Sequence, residues 1–431
     1  MKTINLCCGA ALTAAIGLAG VQAENPSRQA PSKLPPGMFS TLGNQIVDRN
    51  KNPVRLSCVY WLGMNAKDGH LINLDGPIKG IQANLDAVAS TGFNCLRVDF
   101  NNVTLHDEGA PALLSALDQV VAAAAKAKLR VIIDDHSNEG IPGSVPDVSC
   151  TAQQANGLWY DVGGAADGTD GCKNPGHTTQ ASYQSDWVSI ASRYARNDTV
   201  IGFDLWNEPI GSHGHSLWGG GTDRDIHHMY ETVGSAILAK DPGKLIFAEC
   251  PLAIYAPTTL YDGTTVGSAP WGDCTGVKAL PVVIKVNGRA ITNKVVYDVH
   301  LYASSVADFA RLFNGSSSSP SAIKAMNQSF GFLVSKNIAP VWDGESGTGF
   351  QKNPDDEDWA NMLAKYLNGE LGSQGGPTFS GNQQGMGIAW MSWNTPFTKE
   401  GDDDLGILNP DGTMMERQLA IVKQLFFYPR P

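Results

Sequence analysis

Val200-Ile201-Gly202-Phe203-Asp204-Leu205-Trp206-Asn207-Glu208-Pro209 begins as a run of strand formers, turns polar at Asn207-Glu208 and stops at Pro209, which has no N–H to give a sheet. A Gly-rich segment follows, and then the 3.6-residue period of a helix over residues 225–239. The stretch reads as one βα unit with a polar end. Working outward, the same order recurs in β-rich runs at 55–62, 93–100, 129–136, 245–250, 295–302, 338–345 and 386–393. Helical patterns are clearest at 78–90, 110–127, 183–195, 322–336 and 356–367, while the helix of the fifth unit, near 255–261, is short. Eight βα units whose strands show no polar face predict a closed parallel (β/α)8 TIM barrel.

Spare length lies after the strands. Residues 137–180 and 251–293 exceed ordinary βα loops, which suggests that they build walls around a site at the carboxyl ends. Residues 38–53, with the turn at Asn52-Pro53, are expected to plug the opposite mouth. With 42% hydrophobic and 17% charged residues among 431, the chain can bury a large core, so a disordered or fibrous protein is excluded. Lys+Arg total 31 against Asp+Glu 42, a formal charge of −11, which leaves no positive surplus for a phosphate backbone or an anionic membrane. Nucleic acid and membrane are therefore not expected as partners.

Lys2, the apolar run 4–21 and Val21-Gln22-Ala23 read as a signal peptide over 1–23. No later segment has 18 consecutive apolar residues, so the chain is expected to be secreted, extracellular or periplasmic. Pro31, Pro35 and Pro36 mark 24–37 as a tether, and 38–431 as a single catalytic-sized domain without an appended carbohydrate-binding module, working as a monomer. Cys7 and Cys8 leave with the signal. Of the others, Cys150 with Cys172 and Cys250 with Cys274 each bracket an irregular segment and are the candidate disulfides, since export permits them. Cys58 and Cys95 lie within apolar strands and read as buried free thiols.

At the expected site end, the strands carry Arg97, His136, Asn207-Glu208, His300, Tyr302, Glu345 and Trp393. Two glutamates close strands four and seven and can face each other across a groove. Paired carboxylates serve glycosidic cleavage: one protonates the leaving oxygen while the other attacks the anomeric carbon or activates water. At these eight positions, each ending its own run or opening the turn after it, the chain resembles family 5 of the glycoside hydrolases. These are retaining (β/α)8 enzymes that include many bacterial secreted endo-β-1,4-glucanases, or cellulases. The resemblance runs from about residue 38 to 425 and implies double displacement on a β-1,4-glucan.

It implies Glu345 as nucleophile, stabilised as the carboxylate by Arg97 and Tyr302, and Glu208 as the acid/base that holds its proton beside that charge. Asn207 would hold the sugar 2-hydroxyl, His136 and His300 would bind hydroxyls or orient neighbours, and Trp393 would stack on the ring at the cleavage subsite. Trp218, in Leu217-Trp218-Gly219-Gly220-Gly221, resembles a subsite wall, Trp159 and Trp271 are weaker platforms, and Trp187 on a helix reads as core. His213, His215, His227 and His228 lack a further ligand at a recognisable spacing, so neither a metal nor another cofactor is expected. Departures from the family pattern are Val98-Asp99-Phe100 after Arg97, Ser346 after Glu345, and Asn65 in place of an acid. They bear on the sugar rather than on the reaction: β-mannan, xyloglucan and mixed-linkage glucan are alternatives, as is a barrel that only binds glycan.

Overall fold

The computed structural model describes residues 33–64, 78–106, 110–137, 158–160, 178–211, 216–253, 258–266, 271–303, 306, 320–348, 355–393, 405–409 and 411–426. Eight parallel strands close in sequence order: β1 Ser57–Trp61, β2 Cys95–Asn101, β3 Arg130–Ser137, β4 Val200–Asp204, β5 Leu245–Glu249, β6 Val295–Tyr302, β7 Val341–Gly347 and β8 Gly387–Met391, with β8 paired back onto β1. Each overlaps the run expected for it. Helices α1 Ile81–Thr91, α2 Ala110–Ala127, α3 Gln180–Arg193 and α4 Ile226–Lys240 follow the first four strands. After β6 comes α5 Pro320–Met326, continued by a π turn at Asn327–Gly331, and after β7 comes α6 Asp355–Leu367.

Two buried clusters hold these layers together. Inward side chains of the lower strand halves, including Cys58, Ile132, Phe247, Val296 and Trp342, pack with Phe39, Ile46 and Val54. The last three belong to or adjoin an antiparallel sheet, Ser40–Leu42, Gln45–Val47 and Pro53–Val54, which closes the amino-terminal mouth. Outward side chains such as Leu96, Ile133 and Ile246 meet Leu117, Trp187 and Ile237 of the helices. All six are fully buried, and each such side chain contributes about 1.5–3 kcal/mol by leaving water.

Local chemistry sets the helix starts that border the site. Thr179 caps α3, its hydroxyl accepting the Ser182 N–H at 3.1 Å while Ser182 returns a contact to the Thr179 N–H. Asp225 caps α4 and also accepts the N–H groups of Gly219 at 3.0 Å and Gly221 at 2.9 Å. One carboxylate therefore fixes both the helix start and the Gly-rich loop. Of the segment expected as a tether, residues 33–37 lie against the barrel: Leu34 is buried and the Gly37 N–H donates to Asp198 at 2.8 Å.

Two expectations are corrected. The fifth helix is not formed over 258–261. Thr258–Thr259 instead pairs with Thr265–Val266 in a hairpin turned at Asp262-Gly263, where Gly263 has φ 84°. β-Branched residues flanking an Asp-Gly turn favour that hairpin over one helical turn. Cys58 and Cys95 are not free thiols; they form a disulfide. The β1–β2 register sets these two residues opposite each other with Cα atoms 4.3 Å apart, both inside the barrel. The Cys250–Cys274 disulfide is formed as expected and ties the end of β5 to the turn Thr275–Lys278. Its loop of 24 residues contributes about 3 kcal/mol on a chain-entropy estimate. Cys150 and Cys172 lie outside the described residues, as do residues 1–23 and most of the wall segment 137–180.

Candidate active site

Alternation sends every second side chain of a strand inward, and near the carboxyl ends these become polar. On β2 the inward series continues from Cys95 to Arg97 and Asp99, and on β6 from Val296 to Asp298, His300 and Tyr302. Arg97 is the hub and is fully buried. Its guanidinium donates to Glu345 Oε1 at 2.5 Å, Asp204 Oδ2 at 2.8 Å and Asn207 Oδ1 at 2.9 Å, and lies 3.0 Å from Asp134 Oδ1. The Tyr60 ring supports it, with the guanidinium carbon 5.0 Å from the ring centre.

One guanidinium cannot balance three anions, so the surroundings divide the protons. Burial pushes Asp134 up to about 6 against the pull of Arg97 and His136. Glu345 behaves in the opposite way. Burial alone would raise it, but the charges of His300, Arg97 and His136 and the hydrogen bond from Tyr302 outweigh burial and bring it from the usual 4.5 to about 2. The Tyr302 hydroxyl donates to Glu345 Oε2 at 2.7 Å. His136 is lifted to about 9, because its hydrogen bond and charge contact with Asp134 exceed the burial penalty; its Nδ1 is 2.8 Å from Asp134 Oδ2. Glu345 is thus an anion held between cations.

A pH test isolates this carboxylate. Its folded value lies below the ordinary 4.5, so its ionisation contributes stability that is present above that value and is lost as pH falls through about 2. Comparing the native chain with Glu345→Gln cancels the titrating groups that do not interact with Glu345. The stability gap should shrink as pH is lowered from 4.5 toward 2. A gap constant across that window would refute the ionised, cation-held Glu345.

Glu208 stands just beyond β4 in the left-handed region, with φ 50°, and Pro209 restricts its backbone from the other side. Its N–H donates to Glu249 Oε2 at 2.6 Å, and its partly exposed carboxyl meets His300 Nδ1 at 3.1 Å. Glu208, His300 and Glu345 each present an atom within 4.8 Å of the other two. The two carboxyls therefore face each other across the imidazole, one ionised and buried, the other at the groove. That is a constellation for nucleophilic attack coupled to proton donation.

The clustering does not call for a cation. Arg97 and His136 already supply positive charge to Glu345, and the lower set Glu249, Asp298 and His300 is wholly buried. His227 and His228 sit at the start of α4, where His227 Nε2 is 3.2 Å from the Pro281 carbonyl; His213 and His215 lie outside the described residues.

The structure thus brings Arg97, His136, Asn207, Glu208, His300, Tyr302 and Glu345 together. It does not bring in two tryptophans. Trp218 is packed in the outer shell against Tyr230 and Tyr297, its indole N–H donating to the Leu280 carbonyl at 2.9 Å. Gly276 makes room for it, since a Cβ there would lie 2.3 Å from the indole. Trp393 is likewise fully buried in the shell, its N–H donating to Asn84 of α1 at 2.9 Å. At the end of β8 it is Met391, partly exposed, whose alternation from inward Ala389 faces the mouth. Trp393→Ala should therefore lower stability by about 3–5 kcal/mol with KM unchanged. A large KM rise in a stable variant would restore the stacking role. Trp159 and Trp271 are buried too, and Trp187 is core as expected.

Four functional neighbours escaped the sequence reading: Tyr60, Asp99, Asp134 and Asp204. The Tyr60 hydroxyl donates to Asp99 Oδ2 at 2.8 Å and lies 2.8 Å from His136 Nδ1. Asp99 also accepts the Met64 N–H at 2.9 Å, so its departure from the expected pattern ties down the loop after β1. The available signal was the strand period: Asp99 and Asp134 sit two residues from Arg97 and His136. The Gly344 N–H donates to Asp298 at 2.7 Å, and no larger residue fits there, because a Cβ would stand 2.1 Å from that carboxylate.

Comparison with known proteins gives a consistent result. The family model Cellulase (glycosyl hydrolase family 5) matches residues 47–395. An endoglucanase of Paenibacillus polymyxa is 27% identical over 393 residues, covering 84% of this chain and 85% of the relative. The major extracellular endoglucanase of Xanthomonas campestris is 26% identical over 355 residues, 78% of this chain but 60% of that protein's length. Its catalytic domain superposes with a TM-score of 0.67 at 22% identity, covering 90% of this chain and 99% of that one. A Pyrococcus horikoshii endocellulase variant in complex with cellotetraose gives 0.67 at 20% identity, covering 92% of this chain and 100% of that one.

Proposed function

The chain belongs to glycosyl hydrolase family 5, and from that premise we propose that it is a retaining endo-β-1,4-glucanase with Glu345 as nucleophile and Glu208 as acid/base. The observation that carries this reading is the pair itself: Glu345, bonded to Arg97 and Tyr302, with a carboxyl atom within 4.8 Å of one from Glu208. Carboxyls about 5–5.5 Å apart leave no place for an attacking water and require a covalent intermediate, whereas about 6.5–9.5 Å admits one.

In the first step a Glu345 oxygen attacks the anomeric carbon while Glu208 gives its proton to the departing glycosidic oxygen. The resulting ester removes the charge from Glu345. Glu208, now a carboxylate, takes a proton from water, whose oxygen displaces Glu345 and restores the β configuration. Arg97 and Tyr302 stabilise the carboxylate as it leaves. Asn207, held by Arg97, is set to bind the 2-hydroxyl, and His136 and His300 orient the groove edge. The endoglucanase relatives and the cellotetraose-binding endocellulase favour glucan over mannan, xyloglucan or mixed-linkage glucan. They also favour an enzyme over a glycan-binding barrel. Export after cleavage at Ala23 completes the reading, and the extracellular relative supports it.

Proton NMR of an early β-glucan digest tests the mechanism. The first-formed product should be the β-anomer, and an initial α-anomer would overturn double displacement. Reducing-end release should be greater from carboxymethyl cellulose than from mannan or xyloglucan.

A further inference from the structure

Glu249, at the end of β5, is fully buried and touches the acid/base residue by two routes. Its Oε2 accepts the Glu208 N–H at 2.6 Å, at a residue whose φ of 50° is uncommon for a glutamate. The same oxygen lies 3.5 Å from His300 Nε2, and the other ring nitrogen of His300 is 3.1 Å from Glu208 Oε1. A carboxyl below the site thus contacts both the main chain of Glu208 and the imidazole that meets its side chain.

We propose that Glu249 is a positioning residue for proton donation, fixing the Glu208 backbone through its N–H and the Glu208 carboxyl through His300. The proposal rests on Glu208 being the acid/base. The groups facing Glu249 are Asp298 and His300 from β6, Asp204 from β4 and Glu208 itself, while the Tyr230 hydroxyl of α4 donates to the Glu249 carbonyl at 2.8 Å. Burial, with the charges of Asp298, Glu208 and Asp204, pushes Glu249 well above the carboxylate range, so it is held as the neutral acid. Glu249 Oε1 and His300 Nε2 have no other hydrogen-bond partner, and both residues cluster with Asp298 within 4.8 Å. A proton kept among them satisfies groups that would each be costly if bare. His300 is thereby fixed with its Nδ1 at 3.1 Å from Glu208 Oε1.

Glu249→Gln and Glu249→Leu in the full chain test this, using aryl cellobiosides with good and poor leaving groups. The Gln variant keeps an uncharged side chain of the same shape and an acceptor for the Glu208 N–H, so it should retain most of the native kcat/KM on both substrates. The Leu variant should lose kcat/KM, which reports the first step, by about 100-fold on the poor leaving group, within the range for impaired acid catalysis. The loss in kcat/KM should be far smaller on the good leaving group, whose departure needs no acid. If the Leu variant does not fold, Glu249→Asp, which withdraws the carboxyl by one methylene, should show the same dependence with a smaller loss. A Gln variant as impaired as Leu, or a loss equal on both leaving groups, overturns the proposal. Glu208→Ala is the control: if it also lacks leaving-group dependence, the acid/base assignment has failed, and if it alone shows it, only the role of Glu249 has.

Discussion

Glu345→Ala should lower kcat/KM on a soluble β-1,4-glucan by about 10⁴–10⁶-fold, since no covalent intermediate can form and catalytic groups acting as a unit fail together. The fold should survive. Arg97 keeps Asp204 at 2.8 Å and Asp134 at 3.0 Å, so the guanidinium is not left as a bare buried charge. Azide in the space vacated by the carboxylate should attack an activated aryl β-glycoside directly and give the α-glycosyl azide, a single displacement with inversion. Retained β-azide from this variant would exchange the two glutamate assignments. Activity within tenfold of the native enzyme would remove Glu345 from the reaction altogether.

Glu208→Ala should show a different defect. On natural glucan the loss should be about 10²–10⁴-fold, because the leaving oxygen departs without a proton and the second step lacks its base. With an activated aryl glycoside the first step needs no acid, so the glycosyl ester on Glu345 should accumulate and a burst of phenol should precede slow turnover. Azide, which needs no base, should relieve the second step and give the β-azide with retained configuration. The absence of both burst and rescue, with activity equally poor on all leaving groups, would refute the acid/base role. The pH behaviour of Glu345 should persist in Glu208→Ala, since its ionised state depends on His300, Arg97, His136 and the Tyr302 hydrogen bond rather than on Glu208.

The strands were legible because each carries its own signal. Val295–Tyr302 alternates strongly enough to be bounded without reference to any other segment, and Ala110–Ala127 has a helical period over its full length. The fifth unit was not, because Thr258–Thr259 and Thr265–Val266 stabilise one another across a turn, and neither pair has a period of its own. The tryptophans failed for a related reason. Trp393 lies two residues beyond β8 and Trp218 within a glycine loop, where no strand period fixes the direction of the ring. Packing against Asn84 in one case, and against Tyr230, Tyr297 and the space at Gly276 in the other, set that direction.

The number and order of the barrel strands, and the polar residues placed at their carboxyl ends, follow from the chain alone, since periods of 2 and 3.6 are properties of near neighbours. Those periods already aim Arg97, His136, His300 and Glu345 at one mouth. Which of them touch is a property of closure and register. Arg97 reaches Glu345, 248 positions away, at 2.5 Å, and Cys58 bonds Cys95, only because the closed ring fixes the stagger between strands. The difference between an ionised Glu345 and a proton-holding Glu249 arises at the same level. Both are glutamates at strand ends, and burial pushes both upward. Only the first also has Arg97 and His136 beside it, whereas the second shares His300 with the acids Asp298, Glu208 and Asp204.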